Sequence, residues 1–209
     1  MTHRIILVIL AITVAFATGC TSQPTQPAEQ QQPATPAAAE TKPASPPTGP
    51  VAPPTTEADM IASALSAAPE AVAAEATVVT IDEKGQFKTL RQGTGQFTCI
   101  PDSPSPGVDP MCVDQNGVEW VKAWLAHKNP PAGKIGFAYM LMGGSDASNE
   151  DPFATAPPPG QAWVDTGPHV MILNSASRLD SYPKTHDNPK KPFVMFPGTP
   201  YEHLMIPVK

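Results

Sequence analysis

The stretch "TGPHVMILN" at residues 166–174 decides the fold, together with its counterpart "TPYEHLMIPV" at residues 199–208. Each places a histidine after a turn and follows it with an apolar run, which is typical of a strand that begins beside a turn. Side chains on a strand alternate between two faces, so the His and Met of each His-x-Met triplet share one face. These residues are His169 and Met171 in the first strand and His203 and Met205 in the second. If the two strands pair, two imidazoles and two thioethers converge.

Apolar patterns elsewhere predict more strands and two or three helices. Helices are expected at "MIASALSAA", capped by Thr56 and Asp59, at "PEAVAAEA" and at "GVEWVKAWLAHKN". Further strands are expected at "TVVTID", "QFKTLRQG", "GQFTCI", "KIGFAYMLM" and "FVMF". Most links run from strand to strand. The sequence therefore predicts a single α+β domain at 57–209 with a mainly antiparallel sheet of about six strands.

The N-terminus has the features of a bacterial lipoprotein signal. Residues 5–17 form an apolar run that is short for a membrane span of about 20 residues and fits a secretory segment. The following "ATGC" resembles the lipobox, with Ala17 where that pattern prefers Leu. We expect a signal peptide at 1–19 and a lipid on Cys20 that anchors the protein in the membrane. A cleaved secretory signal and a retained single-span anchor are the alternatives.

The segment that follows Cys20 predicts a spacer on the envelope surface. Residues 21–56 hold ten prolines and no aromatic residue, so 20–56 is expected to be a disordered tether. Thr21 after the lipid cysteine resembles the outer-membrane default, which implies a lipoprotein that faces the periplasm. The net charge of −6, without a Lys/Arg cluster, makes nucleic acid a poor partner.

Cys99 and Cys112 are the two cysteines that remain, and an oxidising envelope favours their pairing. The loop between them is rich in Pro, Gly, Ser and Asp, and closing it is worth about 3 kcal/mol in the chain-entropy model. We therefore predict a structural disulfide. A cysteine-based metal or redox site is the alternative, although the spacing is neither C-x-x-C nor that of a zinc ribbon.

The two His-x-Met triplets leave three interpretations open. Thioether and imidazole ligands together suit Cu(I), and imidazole alone also suits Zn(II); Met140 and Met142 add a further same-face pair. Alternatively, methionine fills the core and each imidazole satisfies backbone groups at the start of a strand. Thirdly, His169 and His203 act as an acid and a base. Close imidazoles in a wet pocket would favour an enzyme, whereas buried, separated imidazoles bonded to backbone would favour a binding or structural role.

The long loop before the His169 strand supplies the remaining candidates. Its oxygens could bind Ca²⁺ or form Asx turns, and Ser145 could join His169 and Asp165 as a hydrolase triad. Trp163 with Phe153 could form an apolar lip over a small-ligand pocket, or cover the sheet edge. The polar candidates are Ser145, Asp146, Asn149, Asp151 and Asp165.

Residues 57–209 also resemble a family of secreted bacterial proteins and lipoproteins without an assigned activity. The resemblance is carried by "TCIPD", "DPMCVD", "AYMLMGGSDASNEDPFA", "WVDTGPHVMI" and "PFVMFPGTPYEHLMIPV". It supplies no catalytic residue to carry over, and the cofactor stays unknown. We expect an envelope lipoprotein that binds a small molecule or another envelope protein. The alternative is an envelope enzyme or metal-binding protein that uses His169 and His203.

Overall fold

The computed structural model describes residues 52–104, 106–175, 178–188 and 190–208. The predicted signal peptide, Cys20 and the tether up to residue 51 lie outside the described residues. In the part of the chain that the structure describes, no helix is long and apolar enough to cross a membrane.

In the described part of the chain, ten strands form one large and one small sheet. They are β1 (Thr77–Ile81), β2 (Phe87–Arg91), β3 (Thr98–Ile100), β4 (Met111–Val113), β5 (Gly136–Met140), β6 (Ser145–Asp146), β7 (Val164–Asp165), β8 (His169–Leu173), β9 (Phe193–Met195) and β10 (His203–Pro207). The large sheet has the order β2-β1-β3-β4-β5-β8-β10-β9, and β6 pairs with β7. Neighbouring strands are antiparallel except β1 and β3, which are parallel. This confirms the α+β class with a mainly antiparallel sheet.

The prediction of about six strands is wrong, because the large sheet has eight. The apolar patterns predict no separate strand around Cys112, where three residues, Met111–Val113, pair with both β3 and β5. A three-residue strand is too short to show an alternating pattern. The hairpin of β6 and β7 was likewise missed within the long loop, since each of its strands has two residues.

Among the described residues, three helices flank the sheet, in line with the two or three that were predicted. They are α1 (Glu57–Ser66), α2 (Glu70–Ala73) and α3 (Gln115–Leu125). The Thr56 hydroxyl accepts the Asp59 N–H at the start of α1, and the Asp114 carboxylate accepts the Gly117 N–H at the start of α3. Both caps satisfy backbone donors that a helix leaves unpaired at its first turn.

The two faces of the large sheet carry separate apolar clusters. Helix α3 packs Trp120 and Val121 on one face, against Met171, Leu173 and their neighbours. Helix α1 packs the side that carries Ala64 against the other face, over Val78 and the two cysteines. The first face, between sheet and α3, is the one to which the His-x-Met triplets contribute.

The predicted disulfide is present. Cys99 of β3 and Cys112 of β4 are direct neighbours across the antiparallel pair, their sulfurs are bonded, and both residues are fully buried. The bond therefore closes the Pro-rich loop at 101–110 onto the sheet.

Candidate functional site

A local two-fold axis relates two sets of His and Met side chains in the large sheet. Met171 of β8 lies directly opposite Met205 of β10. A histidine precedes each of these methionines by two residues, and each histidine faces a methionine on its outer neighbouring strand. These pairs are His169 with Met140 of β5 and His203 with Met195 of β9. We call His169, Met140 and Met171 the His169 set, and His203, Met195 and Met205 the His203 set.

Both sets line one cavity between the sheet and α3, with a volume of about 220 Å³. Five of the eight methionines in the chain contribute to its wall, alongside both histidines. The cavity methionines are Met111, Met140, Met171, Met195 and Met205. Since methionine is flexible and polarisable, such a wall adapts its shape to a ligand. We call this space the methionine cavity.

The His169 ring is fixed through Nδ1 by two backbone carbonyls. Its Nδ1–H donates to the oxygens of Thr166 at 3.0 Å and Gly167 at 2.8 Å, because a carbonyl oxygen can only accept. Nε2 therefore carries a lone pair. This atom is buried and has no hydrogen-bond partner among the described residues. Burial also lowers the pKa of His169, which leaves the ring uncharged near neutral pH.

The His203 ring is held in the same way at the other end of the cavity. Its Nδ1–H donates to the Tyr201 oxygen at 2.9 Å, which again leaves Nε2 as the acceptor. Burial lowers its pKa to about 4, and electrostatic repulsion from His169 adds to this effect. The indole of Trp120 and the ring of Phe196 meet the imidazole edge to face, with centroids 5.5 and 5.4 Å away.

Two details of this end matter for binding. The Trp120 indole N–H is buried without a hydrogen-bond partner in the described chain, so the cavity wall holds an unpaired donor as well as the His169 acceptor.

Phe196 has a left-handed backbone, with φ of 54°, which is unusual for a bulky residue. Its N–H donates to the Asn149 oxygen, and the Asn149 side chain donates to the oxygens of Lys184 and Val194. Asn149 thus fixes the strand end that carries Phe196.

The polar part of the wall forms an acidic rim, made of Asp109 and Asp146 with Ser103 and Ser145. Its residues are exposed or partly buried. The Asp109 carboxylate accepts the Ser145 N–H and hydroxyl. Burial and the charge of Asp109 raise the pKa of Asp146 to about 7. Near neutral pH the pair therefore carries less than two negative charges.

The structure brings together only some of the predicted site residues. His169, Met171, His203, Met205, Ser145 and Asp146 line the methionine cavity, whereas Asn149, Asp151, Trp163 and Asp165 do not. Asp151 is exposed and accepts the Phe153 N–H in an Asx turn, and Asp165 is exposed on β7. Phe153 stacks on His127 instead of forming a lip over the cavity with Trp163.

The hydrogen bonds of Ser145 and His169 differ from those of a Ser–His–Asp triad. The Ser145 hydroxyl bonds the Pro106 oxygen and Asp109, and His169 Nδ1 bonds backbone rather than Asp165. The two imidazoles are also offset. His169 lies opposite Pro207, four residues from His203 along β10, which corresponds to about 14 Å of strand. Their rings line opposite ends of one cavity instead of forming a hydrogen-bonded pair.

Sequence reasoning missed much of the cavity wall. Among the residues it missed are Asp109, Met111, Trp120 and Met195. The sequence did contain a pattern that points to Met195. The segments "AYM" and "FVM" each end in a methionine, and the local two-fold requires a methionine on each strand that flanks a His-x-Met strand. No sequence pattern points to Asp109, because it is the disulfide that brings its loop to the cavity.

Metal binding in this cavity would depend on the thioethers. Within residues 52–208, apart from the few positions left undescribed, no three His, Cys, Asp or Glu side chains come together as a metal site. Comparison of the chain with protein-family models, with curated proteins and with solved structures found no match. The site must therefore be interpreted from its own chemistry.

Proposed function

We propose that this protein is a lipoprotein of the bacterial cell envelope whose domain binds a small ligand in the methionine cavity. A lipid on Cys20 and the tether at 20–56 would hold the domain near the membrane, facing the periplasm from the outer membrane. The lipobox-like "ATGC" and the ten prolines after it support this anchor. The observation that carries the binding role is the cavity of about 220 Å³, walled by five methionines and two uncharged imidazoles.

Binding is favoured over catalysis by the state of the two histidines. A general acid or base must exchange protons with substrate and solvent near the working pH. His169 and His203 are each 2% exposed, both use Nδ1 for a backbone carbonyl, and burial lowers the pKa of both. They are therefore built as fixed, neutral acceptors.

The cavity is large enough for a ligand of several ring atoms. An engineered apolar cavity of about 150 Å³ binds benzene, and the methionine cavity is larger. Its wall is mostly apolar, with one buried acceptor at His169 Nε2 and one buried donor at Trp120 Nε1. An apolar ligand with a single N–H would gain both burial and a hydrogen bond to His169.

Indole and benzene test this proposal as probes of the cavity. The full chain in mild detergent is heated with each compound, and the midpoint of thermal unfolding is recorded. Because indole carries an N–H donor and benzene does not, we expect both to raise the midpoint and indole to raise it more. If neither compound changes the midpoint, and neither perturbs the Trp120 indole resonance, the binding proposal is wrong.

A further inference from the structure

We propose that the methionine cavity takes Cu(I), bound by His169 Nε2 and the thioethers of Met140 and Met171. This inference rests on the proposed function, because it names the ligand class of the same cavity. Three residues of the His169 set supply one nitrogen and two sulfurs from adjacent strands β5 and β8.

The sheet register makes convergence of these three side chains geometrically feasible. His169 and Met140 are direct cross-strand neighbours, whose Cβ atoms are about 5 Å apart in such pairs. Met171 follows His169 by two residues on the same face, about 7 Å along the strand. All three side chains line the cavity, and the flexible Met side chains can adjust their sulfur positions.

The donor chemistry selects a soft monovalent cation. Thioethers favour Cu(I), and imidazole binds copper through a neutral nitrogen. Metal-binding histidines usually donate their second N–H to a carbonyl or carboxylate, which is what Nδ1 of His169 does with Thr166 and Gly167. The remaining Nε2 lone pair is buried and unpartnered among the described residues. A set of uncharged ligands leaves the charge of a divalent ion uncompensated, which disfavours Zn(II).

The acidic rim favours the His169 set over its two-fold relative. Asp109 lines the same cavity as His169, and a carboxylate at the entrance attracts cations. The His203 set instead lies against the rings of Trp120 and Phe196. We therefore assign the first Cu(I) ion to His169, Met140 and Met171.

Competition with the chromophoric Cu(I) chelator bicinchoninate, in ascorbate, tests this assignment on the full chain. The test variant is Met140→Leu with Met171→Leu, which removes two sulfurs while nearly conserving volume. The matched control is Met60→Leu with Met142→Leu, because neither residue lines the cavity. We expect one Cu(I) per wild-type chain, roughly a tenfold or greater loss of affinity in the test variant, and no loss in the control.

Indole binding by the same samples separates the inference from the proposed function. A test variant that still binds indole has kept its fold and cavity, so its loss of Cu(I) belongs to the sulfurs. Wild-type protein that binds indole but not Cu(I), or a test variant that binds Cu(I) as tightly as wild type, would overturn the Cu(I) inference alone. Wild-type protein that binds neither would overturn both proposals.

Discussion

Met171 and Met205 face each other directly across the β8–β10 pair, at the centre of a local two-fold axis. Each is preceded by a histidine two residues earlier on its own strand, and that histidine lies opposite a methionine of the next strand. A fold that needed only core volume could use leucine at these positions. The repetition of His, Met and Met on both sides of the axis instead places two groups of nitrogen and sulfur atoms in the cavity wall.

Gly144 is expected to be essential for the shape of the cavity. A Cβ atom at this position would lie 2.9 Å from Thr166 Oγ1, 3.0 Å from His169 Cε1 and 3.2 Å from Met140 Cε. Gly144→Ala should therefore displace the His169 ring, weaken indole binding and lower the free energy of unfolding by about 1–3 kcal/mol. Calorimetric titration and urea unfolding measure the two effects.

Gly167→Ala is the matched control for Gly144→Ala. A Cβ atom at Gly167 meets no atom within 4 Å, and the carbonyl that accepts from His169 is retained. We expect indole to bind this variant as it binds wild type. Equal loss of binding in both alanine variants would contradict the role assigned to Gly144.

Asp146→Asn is expected to stabilise the protein above neutral pH. The folded pKa of Asp146 is about 7, above its ordinary value of 3.8, so the folded state keeps a proton that the unfolded state has lost between these values. The contribution of the Asp146 carboxyl to the free energy of unfolding is therefore fully present below pH 4 and is lost as the pH rises to about 7. At about 1.4 kcal/mol per unit, the variant should gain up to about 4 kcal/mol at pH 8 and nothing at pH 3.5.

His203 contributes the opposite pH dependence. Its folded pKa of about 4 lies below its ordinary value of 6.5, so stability from this group is lost as the pH falls from 6.5 to 4. Asp146→Asn lacks the gain in stability that Asp146 gives on acidification. We therefore expect the free energy of unfolding of this variant to fall as the pH drops from 6.5 to 4. Asp165→Asn, on the paired strand but exposed, is the control that should behave as wild type. Identical pH profiles for Asp146→Asn and wild type would refute the assignment.

Asn149 is expected to act as a structural residue. Its side-chain amide donates to the oxygens of Lys184 and Val194, so Asn149→Ala leaves buried acceptors with fewer partners. The free energy of unfolding should fall by about 1–3 kcal/mol, as measured in urea. Asn129→Ala, at an exposed position after α3, should leave it nearly unchanged. The assignment fails if both substitutions have the same effect.

Removing the disulfide is expected to destabilise the domain without removing the cavity. Cys99 and Cys112 are 13 residues apart, and a loop of this size is worth about 3 kcal/mol in the chain-entropy model. Both sulfurs lie on the α1 face, opposite the methionine cavity. Cys99→Ala with Cys112→Ala should lower the midpoint of urea unfolding, while indole still binds the fraction that remains folded. An unchanged midpoint would contradict the structural role.

The strands with strong periodic patterns could be predicted from the sequence, and with them half of the candidate site. Strand alternation alone placed His169 with Met171 and His203 with Met205 on shared faces. Their cross-strand neighbours, Met140 and Met195, could not be predicted. These methionines lie beside His169 and His203 because of the order of the strands in the sheet. That order depends on packing between distant segments, on which local patterns carry no information.

The acidic rim shows a second limit of the sequence. Asp109 lies in a Pro-rich loop whose path is set by the Cys99–Cys112 bond and by pairing of the three-residue strand β4. The disulfide was predictable from the loop composition and from the oxidising compartment that the N-terminal sequence predicts. The position of the loop against Asp146 depends on tertiary structure and left no pattern in either segment.

The methionine methyl resonances of the full chain, recorded by ¹H–¹³C NMR during an indole titration, test the central claim most directly. Met111, Met140, Met171, Met195 and Met205 line the cavity, and Met60 and Met142 do not. A ligand bound in the cavity should shift the first five methyl signals in proportion to its occupancy and leave the last two in place. Signals that all stay fixed, or Met60 and Met142 signals that move as far as the other five, would contradict a ligand site in this cavity.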